Sequence, residues 1–315
     1  MRLILQDNLV GVSMNLKITK LFVLLSLLSS VAKAQIASIP FEMVGRTMYI
    51  KVKINNSDSL RFQFDTGGTG VLLDSLTAEH AGVSKTGRIA TEAGGQGGSV
   101  SAFYIKHQEI SLAGNTKLKN IEFTLMNLGD PKTGTSSAIA GIMGADLMNK
   151  YVTQIDFPNK RLLLYKRIND VDLRGFTPIK FDFYEDLNIP RFPVSIRLPN
   201  DEVVTGKVIF DSGAATTMLI FAPFSNYYSI KSKLGDVKSF AGRGLTANTT
   251  DIIAQIKGLD FDGFSFGPMN ISVNVDDNAP KSPEYLGLLG IEVIRNFQVI
   301  MDYKHKVIYL KKLVE

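Results

Sequence analysis

Phe64-Asp65-Thr66-Gly67 returns later in the chain as Phe210-Asp211-Ser212-Gly213, with the two aspartates 146 positions apart. Gly141-Ile142-Met143-Gly144 and Gly287-Leu288-Leu289-Gly290 keep the same offset, as do Asp156 and Asp302. Such spacing marks an internal duplication in which each copy brings one carboxylate. Two carboxylates brought face to face are the working parts of an acid/base site.

The segments around these motifs read as strands. Met48–Ile54, Leu60–Phe64, Ile121–Leu125 and Arg161–Tyr165 alternate or are β-branched, and Phe192–Leu198, Lys207–Phe210, Ile271–Val275 and Lys306–Leu310 take the corresponding places in the second half. Helical patterns are brief: 74–81, 145–150 and 291–296. The fold class expected is all-β with a few short helices, built as two similar lobes with a cleft between them. A chain of 315 residues has room for two units of roughly 140 residues, each with its own core. The boundaries expected are 35–168 for the first lobe, 169–175 for a charged, strand-poor linker closed by Gly175 and Pro178, and 176–315 for the second.

Residues 1–34 read as an export signal. Lys17 and Lys20 precede the apolar stretch Leu21–Leu28, and Ala32-Lys33-Ala34 closes it with small residues. The apolar core is short for a membrane span, which needs about 20 residues. With residues 1–34 removed, the net charge falls from +5 to +2, from 31 basic and 29 acidic residues. The mature chain keeps no Lys/Arg run with interleaved aromatics, so no nucleic-acid partner is expected, nor a stable membrane anchor. Cysteine is absent, which excludes disulfides and lipid attachment through Cys. A periplasmic or secreted location follows as the expectation.

The local chemistry points the same way. A carboxylate held in Asp-Thr-Gly needs a tight turn, which assigns backbone freedom to Gly67 and Gly213 and a local hydrogen bond to Thr66 and Ser212. Val71-Leu72-Leu73 and Met218-Leu219-Ile220 are expected to anchor each loop on the core. Were Asp65 and Asp211 to meet, both could not easily ionise and one proton would be shared. The ionised member could then take a proton from water while the protonated one polarises a carbonyl. Two glycine clusters also recur between strand-like runs: Ala93-Gly94-Gly95-Gln96-Gly97-Gly98 and Phe240-Ala241-Gly242-Arg243-Gly244, with Gly98 and Gly244 at the 146 offset. They read as hairpin tips.

The chain resembles the aspartic proteases of the pepsin and retroviral-protease type in their bilobal, single-chain form. Both Phe-Asp-Thr/Ser-Gly loops and both Gly-apolar-apolar-Gly segments carry the resemblance. It implies catalysis by Asp65 and Asp211, cross-lobe hydrogen bonds from Thr66 and Ser212, and flaps at Gly94, Gly95, Gln96, Gly97 and Gly98 and at Gly242, Arg243 and Gly244. It further implies a peptide or protein substrate bound in extended form, a monomer, and no metal or organic cofactor. Gly68 and Ala214 depart from the pepsin pattern, where a hydroxyl residue follows the triplet. That departure predicts a dyad with raised pKa values and an optimum in mild acid or near neutrality.

Bland readings stand beside these. One Asp-Thr-Gly alone is a common turn, and only the paired occurrence lifts it. Asp156 and Asp302 read as turn caps. His80, His107 and His305 lack ligand spacing, so no zinc site is implied. A nucleophilic serine elbow is absent, and a glycosidase pair would not arise from symmetric loops. The alternative function is a catalytically inactive peptide-binding or structural protein on the same scaffold.

Overall fold

The computed structural model describes residues 35–95, 98–113, 116–129, 139–184, 187–235 and 237–313. Residues 1–34, read above as an export signal, and Gln96 and Gly97 of the first glycine cluster lie outside the described residues. Residues Gln35–Glu315 form one compact unit, and the architecture is all-β.

The first half contains β1 (Gln35–Val44), β2 (Thr47–Ile54), β3 (Leu60–Phe64), β4 (Val71–Asp74), α1 (Ser75–His80), β5 (Ile89–Gly95), β6 (Gly98–Ser111), β7 (Lys117–Met126), β8 (Gly141–Met143), α2 (Ala145–Lys150), β9 (Val152–Asp156) and β10 (Arg161–Tyr165). A short bridging stretch contributes β11 (Thr177–Lys180) and β12 (Asp182–Phe183). The second half contains β13 (Pro190–Arg197), β14 (Val203–Phe210), β15 (Met218–Ile220), α3 (Ala222–Tyr228), β16 (Lys238–Arg243), β17 (Asn248–Ile256), β18 (Gly258–Phe261), β19 (Phe264–Phe266), β20 (Met269–Asn274), β21 (Tyr285–Leu289), α4 (Ile291–Ile294), β22 (Phe297–Asp302) and β23 (Val307–Lys312).

Alternation places these strands. In β2, Met48, Ile50, Val52 and Ile54 are buried while the residues between them are more open. In β13, Phe192, Val194 and Ile196 do the same. Period-2 alternation of this kind gives each strand one core face. Helix α1 starts because Asp74 caps it, its Oδ2 accepting from the Thr77 N–H at 3.0 Å.

The two halves repeat their pairings. β3 runs parallel to β8 as β14 does to β21, and β4 pairs antiparallel with β8 as β15 does with β21. Each half also closes with a hairpin, β9/β10 and β22/β23. The turns of those hairpins are capped as the spacing of Asp156 and Asp302 predicts. Asp156 Oδ1 accepts from the Asn159 N–H at 3.2 Å, and Asp302 Oδ1 accepts from the His305 N–H at 3.3 Å.

The halves are joined by more than a linker. Strands β9 and β22 pair across them, Val299 opposite Ile155, so the closing hairpins of both halves share one sheet with β1 and β11. Residues 168–175 include a single 3-10 turn at Ile168–Asp170.

Two local expectations need correction. Val71, Leu73, Met218 and Ile220 enter the main core, whereas Leu72 and Leu219 do not. In a strand successive side chains face opposite ways, so the middle residue of each triplet lies on the other face. The glycine clusters are also not equivalent at offset 146. Gly95 pairs with Gly98 at the end of β5/β6, and in β16/β17 the matching closure is the Gly244 N–H donating to the Ala247 carbonyl at 2.9 Å. Gly244 therefore corresponds to Gly95, and Gly242 and Arg243 sit inside β16 rather than at the tip.

Candidate functional site

Each Phe-Asp-Thr/Ser-Gly segment leaves a strand whose final Phe is fully buried, Phe64 in β3 and Phe210 in β14. The following turn is pinned from below by the Gly-apolar-apolar-Gly segments. The Asp65 N–H donates to the Met143 carbonyl at 2.9 Å and the Asp211 N–H to the Leu289 carbonyl at 3.0 Å. The first N–H groups past each second glycine reach back, Ala145 to the Gly68 carbonyl and Ile291 to the Ala214 carbonyl, both at 3.0 Å. These contacts explain why both motifs travel together in the sequence.

The turns then lock onto each other. The Thr66 N–H donates to Ser212 Oγ at 3.0 Å, and the Ser212 N–H donates to Thr66 Oγ1 at 2.9 Å. Each hydroxyl in turn donates across to a carbonyl, Thr66 to Phe210 at 2.7 Å and Ser212 to Phe64 at 3.2 Å. Both residues are completely buried. Each hydroxyl thereby both accepts and donates across the join, which favours a rigid buried polar network.

This interlock brings Asp65 and Asp211 into hydrogen-bond contact. Gly67 lies against the carboxyl of the opposite aspartate: a Cβ there would fall 2.6 Å from Asp211 Cγ, and one on Gly213 would fall 2.4 Å from Asp65 Cγ. No side chain fits at either position, so glycine is required by close approach. Asp65 Oδ1 accepts from the Gly67 N–H at 2.8 Å; Asp211 Oδ1 accepts from the Gly213 N–H at 2.8 Å and the Ala214 N–H at 3.0 Å. Burial raises the pKa of Asp65, against the opposing pull of Asp211 and the backbone donors. For Asp211, burial and then the charge of Asp65 raise it well above the ordinary value. Two carboxyls placed this way resist carrying charge together.

At Gly68 two backbone segments come close, so that a side chain there would need one of them to shift slightly. A Cβ there would begin 3.3 Å from the Gly144 Cα, a tight approach between two backbone segments.

The two hairpin tips meet. Thr246 Oγ1 donates to the Gly98 carbonyl at 3.1 Å, and Leu245 packs on Gly95, its Cβ 3.0 Å from where a Gly95 side chain would start. Gly94, Gly95 and Gly98 lie in the first hairpin and Gly244 opens the turn of the second.

Several residues that the sequence did not single out contact the segments around the dyad loops. Gln63 Nε2 donates to the Gly213 carbonyl at 2.9 Å, and strand alternation could have found it, since it stands two before Asp65. Arg46, in the β1/β2 turn, donates to the Ala215 carbonyl at 3.5 Å and pairs with Glu292 at 3.3 Å. No local signal marks it, because its partners are far away in the chain. Asp146, in the first turn of α2, has its pKa raised by burial, with the like charge of Glu122 adding and the Val71 N–H opposing.

An all-β protein with two aspartates joined at interlocked turns defines a paired-carboxyl site. Residues 50–147 match the family model of aspartyl proteases, and over that stretch the chain is similar to proteases of the retropepsin type. No curated protein matches the chain. The match supports a protease function acting on peptides. It spans Asp65 and the Gly141–Gly144 segment and ends before Asp211, so the second carboxyl rests on geometry.

Proposed function

We propose that the protein is an exported aspartic endopeptidase, periplasmic or secreted, which hydrolyses peptide bonds with a water activated by the Asp65/Asp211 dyad. The observation that carries this reading is the reciprocal Thr66/Ser212 interlock holding two half-buried carboxyls in mutual contact. The ionised carboxyl takes a proton from water as that water attacks the peptide carbonyl, while the protonated carboxyl donates to the carbonyl oxygen. No covalent intermediate is needed. The two hairpins cover the bound peptide and exclude water. Both carboxyls come from one chain, so a monomer suffices. Export is supported by the basic, apolar and Ala-x-Ala order of residues 17–34.

The test is digestion of a denatured protein and a peptide library from pH 3 to 8, with wild type, Asp65→Asn and Asp211→Asn, with and without a statine-type inhibitor. Either substitution is expected to cost about 10²-fold to 10⁴-fold or more, the range of a lost general acid or base. Because burial raises both carboxyls, the single-proton form persists into mild acid and neutrality, and the profile should peak there. Full activity in both variants, or a peak below about pH 3, contradicts the proposal. Cleavage by no form would favour a non-catalytic peptide-binding protein.

A further inference from the structure

The two walls of the site differ in chemistry. In β14, Val208 and Phe210 face the core while Ile209, like Asp211 two residues on, faces away. Ile209 stands opposite Leu288, Leu288 opposite Leu219, and Leu219 opposite Ser272. Asn274 is two residues beyond Ser272 and opposite Asp251, which lies opposite Phe240, with Thr249 and Gly242 paired next along β16/β17. One sheet face thus runs from Asp211 to the tip that touches Gly95 and Gly98. The first half has the same path through Gln63, Ile142, Leu72 and Thr124. It ends in an apolar cluster of Ala93, Val100, Ala102, Met126 and Leu72, separate from the main core.

Matching the hairpins by their closures sets Gly242 and Thr249 where Ala93 and Val100 stand, and Asp251 with Asn274 where Ala102 and Met126 stand. The second wall is therefore polar where the first is apolar. Asp251 is 5% exposed. Its Oδ1 accepts from Asn274 Nδ2 at 2.9 Å, and among the described residues its Oδ2 accepts nothing and it joins no ion pair. Thr249 Oγ1 is buried with no partner among the described residues. Both oxygens press on Gly242, where a Cβ would lie 2.1 Å from Asp251 Oδ2 and 2.3 Å from Thr249 Oγ1. A carboxyl group has room for about four donors, and a buried oxygen left unmet, as Thr249 Oγ1 is, is costly. A group rich in N–H donors would satisfy this pair.

We propose that Asp251, with Thr249 beside it, forms a recognition pocket for a lysine or arginine side chain of the peptide substrate, on one side of the scissile bond only, while the first wall takes an aliphatic side chain on the other. This rests on the peptide-cleft reading above. The ammonium or guanidinium donates to Asp251 Oδ2 and Thr249 Oγ1, and the stem of the side chain lies along Leu219 and Leu288.

The test uses decapeptide libraries carrying Lys, Arg or norleucine at one fixed position, scanned across the peptide. Cleavage by wild type and Asp251→Asn is measured, and binding to Asp65→Asn is followed by fluorescence anisotropy. Wild type should favour Lys or Arg over norleucine by about 10- to 100-fold at one position, the worth of a hydrogen bond to a charged group. Asp251→Asn should bring that ratio close to one. Equal handling of Lys and norleucine, or a preference surviving in Asp251→Asn, overturns the pocket. The binding arm needs neither a folded Asp251 variant nor turnover: a basic preference in binding without any cleavage keeps the pocket and sinks the protease, while cleavage without preference does the reverse. Neither binding nor cleavage of any library overturns both.

Discussion

Replacing Thr66 by valine removes one hydroxyl at the centre of the interlock and little volume. The Ser212 N–H, which donates to Thr66 Oγ1 at 2.9 Å, is left in a fully buried place without an acceptor, at a cost of about 1–3 kcal/mol. The Phe210 carbonyl also loses the hydroxyl at 2.7 Å, worth about 0.5–1.5 kcal/mol. Together the loss is about 1.5–4.5 kcal/mol, or roughly 3–12 °C in Tm for a unit of this size. Activity should fall further than stability, because carboxyls displaced by about 1 Å lose on the order of a hundredfold. Calorimetric melting and peptide cleavage measure both, with exposed Thr69→Val as a control expected to stay within about 0.5 kcal/mol. Ser212→Ala combined with Thr66→Val should cost less than the sum of the two, since each hydroxyl serves the other's loop. A Tm within about 1 °C of wild type, or strict additivity, refutes the interlock as the source of dyad rigidity.

Two further outcomes follow from the site. Burial and the charge of Asp65 raise Asp211 in the folded protein, so its contribution to stability is present below the ordinary carboxylate pKa and is lost as pH rises through the folded value. Asp211→Asn, which mimics the protonated form, should therefore melt higher than wild type at pH 7, the gap closing towards pH 4; a gap that widens in acid reverses the sign and sinks the argument. Gly287→Ala would place a Cβ 1.8 Å from the Leu219 carbonyl oxygen, backbone against backbone. It should destabilise by at least about 3 kcal/mol, seen as a fall in the urea midpoint; an unchanged midpoint would mean that β15 and β21 do not pack this closely.

The sequence by itself determined the all-β class, the paired aspartates, the supporting glycine segments and the capped closing turns. Those features are local, set by strand period, turn chemistry and a repeat that places equal residues in equal surroundings. Tertiary structure alone decided which residues share a face. Leu72 and Leu219 look like core anchors in sequence yet stand on the dyad's side of the sheet, because alternation turns the middle residue of each triplet outward. It also shifted the match between hairpins so that Gly244 answers Gly95, which no fixed offset could reveal once loop lengths differ. Arg46 and Asp251 owe their places to strands distant in the chain, and their partners exist only after those strands have paired.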